Sequence, residues 1–220
     1  MKRRLGSLIV SVAVMTLSLA SAAPASAQTA DCSLLGKYEW AHFQIEGALY
    51  PGYQTSLQFW DSAYHEPFVV HAFGTQQTQY AFYQPPTLTI PKGTSPGTHY
   101  VWVEQCGRKV AESYAYVNEL RPWALASKWY VPAGETISWD AYQFIPGERV
   151  QLLADGKDTG TATNASDTYA PHHGINFQGQ IRYEVLKYTV PSAMAGKSVL
   201  FELRGQQSQK SAQTRITVAR

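Results

Sequence analysis

The sequence predicts an all-β protein: two small β-sandwiches in tandem behind a removable leader. Three observations predict it. Glycine, proline and threonine punctuate the chain roughly every 8–12 residues, and the runs between them alternate apolar and polar positions. Helical periodicity is almost absent. Finally, one pattern occurs twice, about a hundred residues apart, as two copies of one fold would produce. In each copy a Pro-Gly turn opens an alternating strand: Pro51-Gly52 before Thr55–Phe59, and Pro146-Gly147 before Val150–Leu153. An apolar residue plus proline, a loop ending in glycine and a second strand follow. These are Ile90-Pro91…Gly97 before Tyr100–Val103, and Val190-Pro191…Gly196 before Val199–Leu203. The Pro-Gly to Xaa-Pro intervals are 40 and 45 residues.

Residues 1–27 read as a signal peptide. Lys2, Arg3 and Arg4 form a positive start, Leu8 to Ala20 an apolar run, and Ala25-Ser26-Ala27 a small-residue cleavage site before Gln28. The run is too short and too rich in Ser and Ala to span a membrane comfortably. The expected mature chain is therefore exported, with no membrane span. The full sequence carries 18 Lys and Arg against 16 Asp and Glu. Loss of three leader cations leaves 15 against 16, a balance of −1. No cationic cluster remains to meet a phosphate backbone, which argues against a nucleic-acid partner.

The mature length suits two domains of just under about a hundred residues each, the size of a small sandwich. The break is expected near Asn118–Pro122, giving domain 1 at 28–118 and domain 2 at 119–220. Trp123, Leu125 and Trp129 are expected at the junction. Within each copy, further strands are expected at Tyr38–Phe43, Phe68–Phe73, Tyr80–Tyr83, Val110–Val117, Thr136–Trp139, Arg182–Lys187 and Arg215–Val218. Alternation places Tyr100, Trp102 and Cys106 on one strand face and Val199, Phe201 and Leu203 on its counterpart, both read as core. Cys32 and Cys106 are the two cysteines, both in the first half. In an exported chain such a pair reads as a disulfide. It would close a 75-residue loop and contribute about 4 kcal/mol in the chain-entropy account.

The second copy carries a family resemblance. Phe144-Ile145-Pro146-Gly147-Glu148-Arg149-Val150, followed by Asp155-Gly156 and Gly160-Thr161-Ala162, resembles the "F-x-PGE-x-V" opening of secreted bacterial immunoglobulin-like (IPT/TIG-like) modules. The segment Val190-Pro191…Val199-Leu200-Phe201…Ile216-Thr217-Val218 is similar to their closing half. The first copy matches more loosely, with Tyr53 where the charged residue of that opening stands. The resemblance implies two tandem immunoglobulin-like β-sandwiches. Such modules serve as spacers, adhesins or accessory binding domains and usually carry no catalytic residues, so little transfers to individual sites.

Chemistry-bearing constellations are few. His172-His173 with Asp167 nearby is a polar-loop pattern, since zinc needs three or four converging ligands. No GxSxG elbow or base-paired nucleophile is present. No enzyme activity, metal or cofactor is expected, and an enzyme or enzyme inhibitor ranks third among the readings. The 28 aromatic residues are the one excess. Trp60, Tyr64, Tyr80, Phe82 and Tyr83 crowd the middle of domain 1 and are the candidate ligand-binding residues. Tyr80-Ala81-Phe82-Tyr83 sets rings on both faces of one strand, so at least one should meet solvent or a partner. The function expected is a non-catalytic structural or protein-interaction module at the cell exterior; the alternative is a glycan-binding protein using those aromatics.

Overall fold

The computed structural model describes residues 42–60, 67–79, 86–170 and 175–220. The architecture is all-β. The first half holds β1 (His42–Ile45), β2 (Gln54–Trp60), β3 (Phe68–Ala72), β4 (Thr75–Gln79), β5 (Thr87–Thr89), β6 (Gly97–Gln105) and β7 (Arg108–Val117). The second holds β8 (Trp123–Ala126), β9 (Tyr130–Pro132), β10 (Thr136–Tyr142), β11 (Arg149–Ala154) and β12 (Lys157–Asn164). It continues with β13 (Tyr169–Ala170), β14 (Ile175–Asn176), β15 (Lys187–Thr189), β16 (Ser198–Gly205) and β17 (Ser211–Ala219). A 3-10 turn, Ser192–Met194, precedes β16.

Sheet order repeats between the halves. In the first, a β1-β2-β5 sheet accompanies β4-β3-β6-β7; in the second, β8-β10-β15 accompanies β12-β11-β16-β17-β9. This is the immunoglobulin-like sandwich arrangement. Even the parallel contact recurs: Leu49 bridges Val117, as Val131 pairs with Val218.

Backbone hydrogen bonds fix the correspondence and correct the register read from the sequence. Gly52 N donates to Ile90 O at 2.9 Å, and Gly134 N donates to Val190 O at 2.7 Å. Ile90 N returns to Tyr53 O, as Val190 N returns to Glu135 O. Pro51-Gly52 thus corresponds to Ala133-Gly134, the first ahead of β2 and the second ahead of β10. Pro146-Gly147 opens a different strand, β11. The two Pro-Gly turns look alike because both end loops against a strand, a local need that says nothing of topological position. The Ile90-Pro91 and Val190-Pro191 correspondence does hold. Across it, matching residues are offset by 100 (190 − 90), against 82 (134 − 52) earlier in the chain. The second half accommodates the difference between β12 and β15, where the β13-β14 hairpin lies.

Two core clusters result. Around Trp139, Phe144 and Phe201, all at 0 % exposure, packs the second, with Val150, Leu152, Val199, Leu203 and Ile216. Leu57, Phe68, Val70, Leu88, Ile90, Val101 and Val103 form the first. Each such side chain contributes about 1.5–3 kcal/mol through burial. Val199, Phe201 and Leu203 face inward as expected. Tyr100 and Trp102 do not: on β6 it is Val101, Val103 and Gln105 that are buried, and Tyr100 is 44 % exposed. By the shared register Val101 answers to Phe201, and Tyr100 to Leu200. Period two cannot select a phase when both faces of a strand carry large hydrophobic side chains; the compact aliphatics went in and the rings that bear a polar handle, a tyrosine hydroxyl or an indole N–H, out. The expected strand at 182–187 is also absent. Arg182 O accepts from Val185 N in a turn, and pairing resumes only at Lys187.

Of the residues expected at the junction, Trp123 lines a cleft between the halves, while Leu125 is 43 % and Trp129 60 % exposed. Ile145, from the second half, lies buried in the first core. The Gln178 side chain pairs with the Gln54 backbone like a neighbouring strand, its Oε1 accepting from Gln54 N at 2.8 Å and its Nε2 donating to Gln54 O at 3.0 Å. Ser56 Oγ and Tyr169 Oη lie 2.6 Å apart. At Gly179 (φ +67) a Cβ would stand 2.1 Å from the Tyr53 hydroxyl and 2.2 Å from Phe144 O, so only glycine permits this approach. Burial, the Tyr50 ring and the Glu148 carboxylate together push the Tyr53 hydroxyl well above its usual pKa.

Candidate functional site

The outer face of the β4-β3-β6-β7 sheet carries an aromatic row. Because β6 and β7 pair with Tyr100 opposite Tyr114 and Thr98 opposite Tyr116, the three tyrosines share one surface. Tyr114 is 72 % and Tyr116 60 % exposed, and the Tyr100 and Tyr114 ring centroids lie 5.6 Å apart. On the neighbouring strand His71 sits opposite Trp102, and their rings stack at 3.5 Å and 7°. His71 Nε2 lies 3.3 Å from Glu104 Oε2, too poorly aligned to count as a hydrogen bond.

Charged groups on this face are mutually engaged. Glu112 accepts from Lys109 and from the Tyr100 hydroxyl, which holds its carboxyl below the usual carboxylate range. Lys109 is correspondingly raised to about 12, by Glu112 first and Tyr100 second. The edge of the row is a turn at Phe73-Gly74, with φ +54 and +72. A phenylalanine in this left-handed region is strained, and such strain concentrates where function demands it. Its counterpart in the second half is Asp155-Gly156, φ +46 and +77, the sequence such a hairpin favours. A shallow hollow of about 240 Å³ between Phe73, His71, Tyr100 and Trp102 completes the surface.

A second concavity of about 330 Å³ lies where the halves meet, between Tyr50 and Tyr53 on one side and Trp123, Tyr142 and Gln143 on the other. Trp123 and Tyr142 are directly opposed on β8 and β10 and stack at 4.2 Å and 19°. Trp123, expected at the junction, thus borders it at 45 % exposure.

Of the candidate residues drawn from the sequence, Tyr64, Tyr80, Phe82 and Tyr83 lie outside the described residues, as does the Trp60 side chain. His172 and His173 also lie outside them. Cys106 occupies the turn between β6 and β7 at φ +53 and is not a free thiol; Cys32 lies outside the described residues. Among the described residues no helix is long and apolar enough to cross a membrane.

The acid of the Pro146-Gly147-Glu148 opening, given no role from the sequence, is structurally decisive. Glu148 is 3 % exposed, and its carboxylate accepts from Ile145 N at 2.7 Å, Gln207 N at 3.2 Å, Ser208 N at 3.0 Å and Ser208 Oγ at 3.1 Å. It ties the turn before β11 to the β16–β17 connection. A Cβ on Gly205 would come within 2.5 Å of Glu148 Oε2, which accounts for the glycine ending β16. The signal was present: an acid directly after a Pro-Gly turn between apolar residues.

No protein-family model matches the chain, and no curated protein matches it. Among solved structures it is similar to the Yersinia pseudotuberculosis adhesin InvE, at 14% identity over 81% of this chain and 58% of that one, TM-score 0.32. It is similar too to the Clostridium thermocellum CbhA fibronectin(III)-like modules, at 15% identity over 81% and 93%, TM-score 0.27. A third is SGBP-B of the Bacteroides ovatus mixed-linkage glucan utilization locus, in complex with a mixed-linkage heptasaccharide, at 13% identity over 80% and 45%, TM-score 0.34. The chain therefore spans 58% of the adhesin and 45% of the glucan-locus protein. Its own sheet order, a three-stranded sheet with a partner sheet of four strands in one half and five in the other, places it in the immunoglobulin-like sandwich class.

Proposed function

We propose that the chain is an exported, non-catalytic interaction module of two tandem immunoglobulin-like domains, 28–118 and 119–220, acting outside the cell after loss of residues 1–27. Its docking surface is the tyrosine face of domain 1, and its partner is a protein. The carrying observation is the exposure of Tyr114 and Tyr116 beside Tyr100 on one open sheet face. Tyrosine and tryptophan supply large contact area at low entropic cost and dominate protein interfaces. The surrounding Lys109–Glu112 pair supplies a polar rim. Lys109, Glu112 and Tyr100 hold one another here, and His71 stacks on Trp102. A Cys32–Cys106 disulfide fixes the start of this domain to the β6–β7 turn.

Photocrosslinking from position 114, compared with exposed position 157 in the second half, tests the assignment. The expected result is one protein captured from 114 alone, its affinity falling at least tenfold in the Tyr114→Ala, Tyr116→Ala double variant. Equal capture from both positions, or undiminished affinity, would overturn it. Trp60, Tyr64, Tyr80, Phe82 and Tyr83 are the further set to substitute in the same domain. Intact mass of the exported protein is expected to begin at Gln28.

A second reading, a glycan ligand, is favoured by a separate feature: the neutral, ring-lined cleft between the halves.

A further inference from the structure

We infer that the junction cleft binds an uncharged saccharide. The inference is independent of the tyrosine face, which lies on a different sheet surface and uses different residues. Four rings line the cleft: Tyr50, Tyr53, Trp123 and Tyr142. Three amide side chains, Gln143, Gln178 and Gln180, supply the polar groups; among the described residues no Lys, Arg, Asp, Glu or His lines the wall, and Asp140 and Arg182 stand near Tyr142 with their charges opposed. Burial, then the nearby Asp140 carboxylate, raises the Tyr142 hydroxyl above its usual pKa, so it too is neutral at ordinary pH.

This composition selects a ligand class. A charged ligand entering the cleft would lose hydration without gaining a counter-charge. A saccharide presents hydroxyls that each donate and accept, and an amide side chain offers one accepting oxygen and two donated hydrogens. The apolar C–H faces of sugar rings lie flat on aromatic rings. Trp123 and Tyr142 form a near-parallel platform with one side open, since Trp123 remains 45 % exposed. The volume, about 330 Å³, lies at the small end of ligand clefts, about 300–1,000 Å³. That suits one or two sugar rings and not a folded partner.

Roles within the cleft differ. Gln178 is committed to the Gln54 backbone and positions the wall. Gln143 is the residue placed to meet ligand. It directly follows the Tyr142 ring, and its backbone is held at φ +63, a strained conformation for a glutamine. Its side chain makes one long contact, Nε2 donating to Tyr50 Oη at 3.4 Å, which a sugar hydroxyl can replace. Because Tyr50 and Tyr53 come from one half and Trp123, Tyr142 and Gln143 from the other, the site exists only while the halves are docked.

The experiment is calorimetric titration of the full exported chain with neutral di- to tetrasaccharides: α-1,4 and β-1,4 glucosides, β-1,3/1,4 mixed glucosides, xylosides and chito-oligosaccharides. A sulfated or uronic-acid oligosaccharide serves as the charged comparison. At least one neutral saccharide is expected to bind, with affinity lowered tenfold or more by Trp123→Ala and by Gln143→Ala, and unchanged by Tyr114→Ala. Both cleft positions are partly solvent-exposed, so the variants should retain the parent circular dichroism. Absence of binding across the neutral panel overturns the inference. So does tighter binding of the charged sugars, or a neutral sugar whose affinity survives Trp123→Ala. A sugar lost on Tyr114→Ala instead would move glycan recognition to the tyrosine face and remove it from the cleft.

Discussion

The two halves share a topology and spend their aromatic residues differently. In the second, Trp139, Phe144 and Phe201 are fully buried, and the outward positions of β16 are Leu200, Glu202 and Arg204. In the first, the matching strand sends Val101 and Val103 inward and sets Tyr100 and Trp102 outside. On this strand the second half buries its ring, Phe201, and the first sets Tyr100 and Trp102 on the outer face; elsewhere both halves expose aromatics, Trp129 and Tyr130 in the second and Tyr114 and Tyr116 in the first. Rings withheld from the core forgo burial energy, and the proposed docking face rests on this difference between the copies. The hairpin turns agree: Asp155-Gly156 is the relaxed choice, Phe73-Gly74 the strained one.

Several measurements would break or sharpen this contrast. The largest effect is expected from reduction of the proposed Cys32–Cys106 disulfide, about 4 kcal/mol of stability in the first half. With Ile145 seated in the first core, the second half should feel part of that loss. A second-half transition that does not move at all in a denaturant melt would show the halves to be energetically separate.

Next is Glu148→Ala, which removes the acceptor of three backbone N–H groups and one hydroxyl. A loss of about 2–3 kcal/mol in the second half is expected from orphaned buried donors, read as a lower urea midpoint at constant slope. An unchanged midpoint would mean that water replaces the carboxylate.

Exchanging the turn residues makes a smaller and more diagnostic test. Asp155→Phe loses the hydrogen bond that Asp155 Oδ1 accepts from Leu200 N at 2.9 Å and imports the strain of the first half. About 2 kcal/mol of destabilisation is expected. Phe73→Asn should change stability by less than about 1 kcal/mol, strain relief offsetting lost packing, while weakening partner capture. Unaltered capture would remove Phe73 from the binding face.

The smallest effect is electrostatic. Lys210, then Arg121, hold the Glu119 carboxyl below its usual value. A depressed carboxylate stabilises the fold fully above its unfolded pKa and loses that contribution as pH falls through the lower folded value. A slight decline below about pH 4.5, reduced by salt and by Lys210→Met, is expected from acid titration. The exposure of this pair keeps it small.

Much of the molecule was legible in advance, and the failures have particular causes. The Xaa-Pro to strand segment aligned between copies because proline and the loop glycine are required by one local geometry in both. The Pro-Gly turns misaligned because turn chemistry recurs wherever a strand begins, whichever strand it is. The buried face of β16 is legible because Val199, Phe201 and Leu203 oppose Glu202 and Arg204; on β6 each face mixes large hydrophobic and polar residues, Tyr100 and Trp102 with Glu104 against Val101 and Val103 with Gln105. At the junction the conspicuous Trp123 is legible in the sequence, whereas Gly179, Gln178 and Ile145, which make its close contacts, are residues whose importance lies in fit. The tyrosine face went unseen because its members belong to strands adjacent in space, and Tyr100 had already been assigned to the core.

Sequence alone therefore determined the all-β class, the repetition and most strand positions, since alternation and turn residues are local consequences of backbone geometry. Tertiary structure decided which face of β6 is buried, how the halves dock, and that Tyr50 and Tyr53 stand across a cleft from Trp123 and Gln143. Those outcomes depend on packing between segments far apart in the chain, where volume, close approach and hydrogen-bond completion choose among alternatives that local pattern leaves equal.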